Sequence, residues 1–162
     1  MLSITTCLHC LKNHGKIFHH TEITEIHIPA HPNCMCTAEY MRTKTAGTAT
    51  KLGMNGADAY LSLYGILPNY YVSKEFAENH GWVNWKGNLD EVLPGKMIGG
   101  NIYKNIDHKL PDFPGRVWYE ADINYSTGYR TKARLLYSND GFVFATYDHY
   151  MTFYEIVGGS HV

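Results

Sequence analysis

Four side chains in the last third of the chain could act together on a phosphate: Glu120, Arg130, Arg134 and His149. A carboxylate can take a proton, and an imidazole, whose pKa lies near neutrality, can give one back. Two guanidinium groups can stabilise the negative charge that builds up between those steps. The chemistry requires all four on one surface.

The stretch 115–149 can supply that surface. From Val117 the residues alternate, with Val117, Tyr119, Ala121 and Ile123 on one face of a strand and Trp118, Glu120, Asp122 and Asn124 on the other. Ser126-Thr127-Gly128 makes a turn. Thr131 to Ser138 alternates again, with Ala133, Leu135 and Tyr137 opposed to Lys132 and Arg134. Asn139-Asp140-Gly141 is a strong hairpin signal, and Phe142 to Thr146 returns as a third strand. The loop after it carries Asp148, His149 and Tyr150.

Helices are expected upstream. Ala57 to Tyr64 puts Ala57, Tyr60, Leu61 and Tyr64 on one helical face, and Gly65 ends it. Ser73 is placed to cap a helix over Lys74 to His80, and Asn88 a third short helix toward Leu93. Met97 to Tyr103 begins the sheet. Helices followed by an antiparallel sheet make the fold class α+β. Trp82, Trp85, Trp118 and Gly99-Gly100 are assigned to core and backbone geometry.

Net charge is −1 over 162 residues, but it is uneven. Residues 1–52 hold five Lys/Arg against three Glu, +2, and residues 53–162 hold nine against twelve Asp/Glu, −3. A basic footprint for nucleic acid must therefore be local. The 13 tyrosines favour strands and stacking surfaces over helical bundles. No signal-peptide core and no long apolar run is present, so neither export nor a membrane span is expected from the sequence.

All four cysteines lie near the start, as Cys7-Leu8-His9-Cys10 and Cys34-Met35-Cys36, with His31 just before the second pair. Two close pairs can aim thiolates at one tetrahedral zinc ion, and so short a segment needs a staple. Cys7, Cys10, His31, Cys34 and Cys36 are five candidates for four positions. A disulfide pair or free thiols are the other readings. With Gly15-Lys16-Ile17-Phe18 and His31-Pro32-Asn33-Cys34-Met35-Cys36, the stretch resembles the C-terminal end of Mu F-type phage head-morphogenesis proteins. The resemblance covers about a quarter of the chain and implies a role in delivery or anchoring. The expected organisation is a Cys/His module at 1–40, a linker at 41–56, a catalytic domain at 57–157 and a flexible tail at 158–162.

Residues 57 to about 157 resemble the barnase-like family of microbial guanyl-preferring ribonucleases. The stretches that carry this include His80-Gly81-Trp82-Val83, Lys86-Gly87-Asn88-Leu89 and Ile98-Gly99-Gly100. Others are Glu120-Ala121-Asp122-Ile123-Asn124-Tyr125 and Asp148-His149-Tyr150. The resemblance implies the microbial ribonuclease fold, with N-terminal helices packed on an antiparallel sheet. It implies Glu120 as general base, His149 as general acid, and Lys74, Arg130 and Arg134 as phosphate-binding cations. Tyr150 matches an aromatic beside the histidine. Tyr103, Lys104, Asn105, Ile106 and Asp107 match the guanine-recognition loop, with Asp107 in the acidic role.

RNA brings its own nucleophile, the 2′-OH. The enzyme need only remove that proton, protonate the departing 5′-oxygen and stabilise the phosphorane. The product is a 2′,3′-cyclic phosphate, hydrolysed with the roles reversed. No metal is required for this chemistry, and DNA, lacking the 2′-OH, should bind without being cut.

Departures from the family pattern bear on specificity more than on cleavage. Asn101 stands where the family has Asp, and Ile106 where it often has Arg. Gly141 replaces a bulky aromatic and Tyr119 a cation. Each residue also has a plainer reading: Glu120 and Arg134 as a cross-strand ion pair, His149 as an exposed loop residue.

The expected function is an endoribonuclease toxin domain cutting single-stranded RNA after guanosine, carried behind a phage-derived module as in polymorphic or prophage toxins. The expected partners are RNA and a barstar-like immunity protein. Delivery as part of a larger toxin would bring the domain to a target cell's cytoplasm. Two alternatives stand beside it: a phage-particle docking module that keeps the fold without catalysis, and a zinc-dependent nucleic-acid binder centred on the Cys/His segment.

Overall fold

The computed structural model describes residues 42–158. The five metal-ligand candidates Cys7, Cys10, His31, Cys34 and Cys36 lie outside the described residues, as does most of the expected tail. Residues 42–104 and 117–158 form one compact unit, while 105–116 belong to another and are described by themselves. Among the described residues no helix is long and apolar enough to cross a membrane.

Seven strands form one sheet: β1 Arg42–Thr45, β2 Tyr71–Val72, β3 Met97–Tyr103, β4 Trp118–Asp122, β5 Arg134–Ser138, β6 Val143–Thr146 and β7 Tyr154–Val157. Their spatial order is β1-β7-β6-β5-β4-β3-β2. The expected antiparallel sheet is antiparallel only across its five central strands. Both edges are parallel: β1 pairs with β7 and β2 with β3. Parallel neighbours need long connections. One runs through two helices between β2 and β3, and the other spans nearly the whole unit.

β1 lies in the stretch expected to be linker. Arg42-Thr43-Lys44-Thr45 carries no apolar alternation, yet it covers the edge of β7 in register from Arg42 opposite Tyr154 to Thr45 opposite Val157. Lys44 Nζ lies 5.4 Å from the ring centroids of both Tyr147 and Tyr154. The chain then folds around Asp58, a fully buried carboxylate. Its Oδ2 accepts from the backbone N–H groups of Gly47 at 2.7 Å and Ala49 at 2.9 Å, and its Oδ1 accepts from Thr50 Oγ1 at 3.1 Å. Residues 42–56 are thus part of the sheet unit.

Helix α1, Ala57–Tyr64, occupies the expected span. Its buried stripe is Ala57, Asp58, Ala59 and Leu61, whereas Tyr64 is exposed. The carboxylate that binds the upstream turn rotates the expected face. Ala57 and Leu61 pack with Ile123, Ala133, Leu135, Val143, Ala145 and Ile156 on one side of the sheet. Helix α2, Lys74–Asn79, starts where expected, with Ser73 Oγ accepting from Phe76 N at 3.1 Å. Asn88 precedes α3, Leu89–Val92, but its side chain does not cap it. Its carboxamide instead accepts from Val83 N at 2.8 Å and donates to Gly81 O at 3.1 Å. That ties down the loop around Trp82, which packs with Ala77, Leu89 and Ile98 in a second cluster.

Candidate active site

The opposite side of the central strands carries the charged groups. Glu120 and Asp122 are two apart on β4, so both point to one face. Arg134 sits directly across from Asp122 on β5. A bulge on β3 at Gly99–Asn101 brings Asn101 opposite Glu120. Glycine is needed there. A Cβ on Gly99 would lie 2.6 Å from the Tyr71 ring and 2.9 Å from Ala121 Cβ, and Gly100 has φ 87°.

Glu120 is 9% exposed and held from two sides. Lys74 Nζ at the start of α2 lies 2.6 Å from Oε1. The Tyr150 hydroxyl donates to Oε2, also at 2.6 Å. Burial pushes the carboxyl pKa up, but the hydrogen bonds from Lys74 and Tyr150 and the charges of Lys74 and Arg130 outweigh it. Glu120 is held below the usual glutamate value and is ionised near neutrality. Each oxygen keeps a second lone pair with which to take a proton. Asn101 Oδ1 accepts from the Lys74 backbone N–H at 3.2 Å, which fixes the first turn of α2.

Asp122 organises both arginines, and the sequence reading gave it no role. Its carboxylate is fully buried. Arg130 grips it with two parallel bonds, Nε to Oδ2 at 2.6 Å and Nη2 to Oδ1 at 2.7 Å. Arg134 Nε lies 2.9 Å from Oδ1 without the alignment of a hydrogen bond, so that contact is electrostatic. Arg134 Nη1 donates to Thr131 O and Ala133 O. The cross-strand pair of Arg134 is therefore with Asp122, not Glu120. The signal was in the pattern: Glu120-Ala121-Asp122 places two carboxylates on one face, opposite an arginine. These contacts engage Arg130 through Nε and Nη2 and Arg134 through Nε and Nη1.

His149 and Tyr150 come from the β6–β7 loop in an uncommon backbone conformation, with φ 59° and 68°. Non-glycine residues there cost about 1–3 kcal/mol each and persist only where their surroundings hold them. Asp148 does this. Its Oδ1 accepts from Thr146 Oγ1, Met151 N and Thr152 N, and its Oδ2 from Thr152 Oγ1 at 2.7 Å. Those bonds, led by the Thr152 backbone N–H, draw its pKa down to about 2. Tyr150 N also donates to Thr146 Oγ1 at 3.0 Å. The His149 ring is exposed, with its centroid 4.8 Å from that of Tyr150. Tyr103 stacks on the same Tyr150 ring, with centroids 5.2 Å apart. Burial, then the bond to Glu120, raises the Tyr150 pKa, so its hydroxyl remains a donor.

The fold thus gathers Lys74, Glu120, Arg130, Arg134 and Tyr150, with His149 and Tyr103 beside Tyr150. Lys104 follows Tyr103 at the end of β3 and is exposed. Asn105, Ile106 and Asp107 belong to the second unit. There Asn105 is 4% exposed and braces a tight loop. It donates to Leu110 O and Asp112 Oδ1 at 2.8 Å and accepts from Leu110 N at 3.0 Å. His108 contacts Asp112 in the same loop. Ile106 is 78% exposed, and Asp107 Oδ2 lies 3.2 Å from Lys109 Nζ. Trp85, assigned to the core from the sequence, is exposed on a short 3-10 turn over Asn84–Lys86.

A recessed base, a neighbouring imidazole and two tethered arginines can move a proton off a hydroxyl, return one to a leaving oxygen and neutralise a phosphate between them. A family model described as ribonuclease matches residues 56–157. A ribonuclease of Heyndrickxia coagulans is 49% identical over 102 residues, which is 63% of this chain and 94% of that protein. Ribonucleases of Bacillus intermedius and Bacillus pumilus are each 49% identical over 102 residues, 63% of this chain and 63% of their own length. The matched span contains every side chain of the site from Lys74 to Tyr150, and by that match the chain belongs to the ribonuclease family.

Proposed function

We propose that the sheet unit cuts single-stranded RNA by metal-free transesterification. Glu120 takes the 2′-OH proton and His149 protonates the 5′-oxygen. Lys74, Arg130 and Arg134 stabilise the phosphorane, and a 2′,3′-cyclic phosphate is released and then hydrolysed. The observation that carries this is a carboxylate kept ionised by Lys74 and Tyr150 on the same face as two arginines held by Asp122.

Cleavage after guanosine is the preferred specificity, supported by Tyr103, Lys104, Asn105 and Asp107 in the family's register. The preference is weaker than in relatives with an arginine at this position, because Ile106 offers no cation to lie against the base. Asp107 is shared with Lys109. A cell making this activity needs protection, and a protein presenting carboxylates in place of phosphates suits the cationic cluster. Such a domain behind a delivery module acts as a toxin in a recipient cytoplasm.

The test is digestion of a defined single-stranded RNA in excess EDTA with product ends mapped. Cyclic-phosphate ends at cuts enriched after guanosine are expected. Uncut RNA from a correctly folded protein would reject the catalytic reading.

A further inference from the structure

Trp85 is 73% exposed and Tyr129 is 70% exposed, unusual for large aromatics with no core role. They lie on two segments that touch. A Cβ at Gly87 would be 3.1 Å from Gly128 C, Tyr129 N and Tyr129 Cδ1, so the 3-10 turn carrying Trp85 runs directly against the residues that carry Tyr129. Lys86 Nζ lies 5.3 Å from the Trp85 ring centroid, a cation beside the aromatic face. The next residue after Tyr129 is Arg130, whose guanidinium grips Asp122 and lies 5.9 Å from the Trp82 ring. Two exposed aromatics and a cation therefore sit on adjoining segments, one of which leads directly into Arg130 of the arginine cluster.

We propose that Trp85, Lys86 and Tyr129 form an outlying nucleotide subsite. There a base flanking the cut nucleotide stacks on Trp85 or Tyr129 while Lys86 meets its phosphate. This rests on the ribonuclease reading of the site. Single-stranded nucleic acid is held by aromatic faces interleaved with cations, and stacking on them tolerates any base. The domain is net acidic over residues 53–162, so long-range attraction to RNA is weak and local contacts with the flank count for more. No residue of the patch touches Glu120, so its effect falls on substrate length and not on the chemical step.

The experiment compares kcat/KM for a guanylyl dinucleotide with that for guanosine-containing hexamers extended on the 5′ or the 3′ side. Wild type should prefer one of the extended substrates. Trp85→Ala should lower kcat/KM on that hexamer by roughly five- to hundredfold, the range base stacking supports. It should leave the dinucleotide unchanged, Trp85→Phe should keep most of the preference, and Tyr129→Ala should reduce it. Quenching of indole fluorescence by the hexamer should be reduced in Trp85→Phe. Equal losses on both substrates would mean disturbed folding and overturn the proposal. So would an unchanged length preference in Trp85→Ala, including the case where that variant loses only the binding of a protein inhibitor. If wild type cleaved neither substrate, the catalytic reading beneath the proposal would fall with it.

Discussion

Replacing Asp122 with asparagine should weaken both the fold and the site. The carboxylate is fully buried and neutralises two guanidinium groups whose side chains are only 15% and 6% exposed. Breaking a buried ion pair by removing one partner costs about 3–5 kcal/mol, because a charge is left without its counterion. Asparagine keeps one acceptor oxygen for Arg130, and the slightly exposed Arg130 can regain some water. The lower end, about 3 kcal/mol, is therefore expected. In a domain of this size that lowers Tm by roughly 10 °C or more. Thermal and urea unfolding would measure it. The double variant Asp122→Asn/Arg130→Gln should recover part of the loss, since one stranded cation is gone. kcat/KM should fall as well, because Arg130 then keeps only one of its two bonds and Arg134 loses its charge partner, so both are held less firmly. A shift below about 1 kcal/mol with full activity would refute the claim that Asp122 holds the arginines.

Glu120→Gln should reduce kcat/KM by roughly 10²–10⁴-fold in EDTA without unfolding the protein, as read by steady-state cleavage of a dinucleotide. Because Lys74 and Tyr150 hold the Glu120 pKa down, the acid limb of kcat/KM should lie below the usual glutamate range. Tyr150→Phe should move that limb to higher pH, as a pH–rate profile would show. Asp148 has a folded pKa lowered to about 2, so its stabilisation is complete above the unfolded value and is lost as pH falls toward 2. Asp148→Asn should flatten that part of an acid-unfolding curve. Asp58→Ala leaves the N–H groups of Gly47 and Ala49 without their acceptor. It should cost about 2 kcal/mol or more by urea unfolding and open residues 45–52 to proteolysis.

Where structure is written in neighbouring residues, the sequence was readable. Gly65 and Ser73 bound their helices, and Asn139-Asp140-Gly141 turns β5 back into β6 because that tripeptide accepts the required backbone angles. Strand β1 was missed because four polar residues draw their order from a distant edge, with no period of their own. The position of Asn88 suggests a cap, but its carboxamide bonds Val83 N and Gly81 O in the Trp82 loop instead. Asp122 was visible on the right face, yet its role depends on cross-strand register, which is fixed by the fold and not by spacing along one strand. Trp85, expected in the core, sits instead on the short turn Asn84–Lys86 with its residue 73% exposed, a position that local sequence does not signal.

Glu120 as proton acceptor and His149 as proton donor should respond differently to a change of leaving group. Guanosine 3′-(4-nitrophenyl phosphate) separates the two roles, because its leaving group departs without being protonated. The measurement is cleavage of this compound beside an RNA dinucleotide by wild type, Glu120→Gln and His149→Ala. His149→Ala should lose activity on RNA but keep most of it on the nitrophenyl ester, while Glu120→Gln should lose both. Equal loss of both substrates in His149→Ala, or a Glu120→Gln variant as active as wild type, would contradict the assignment.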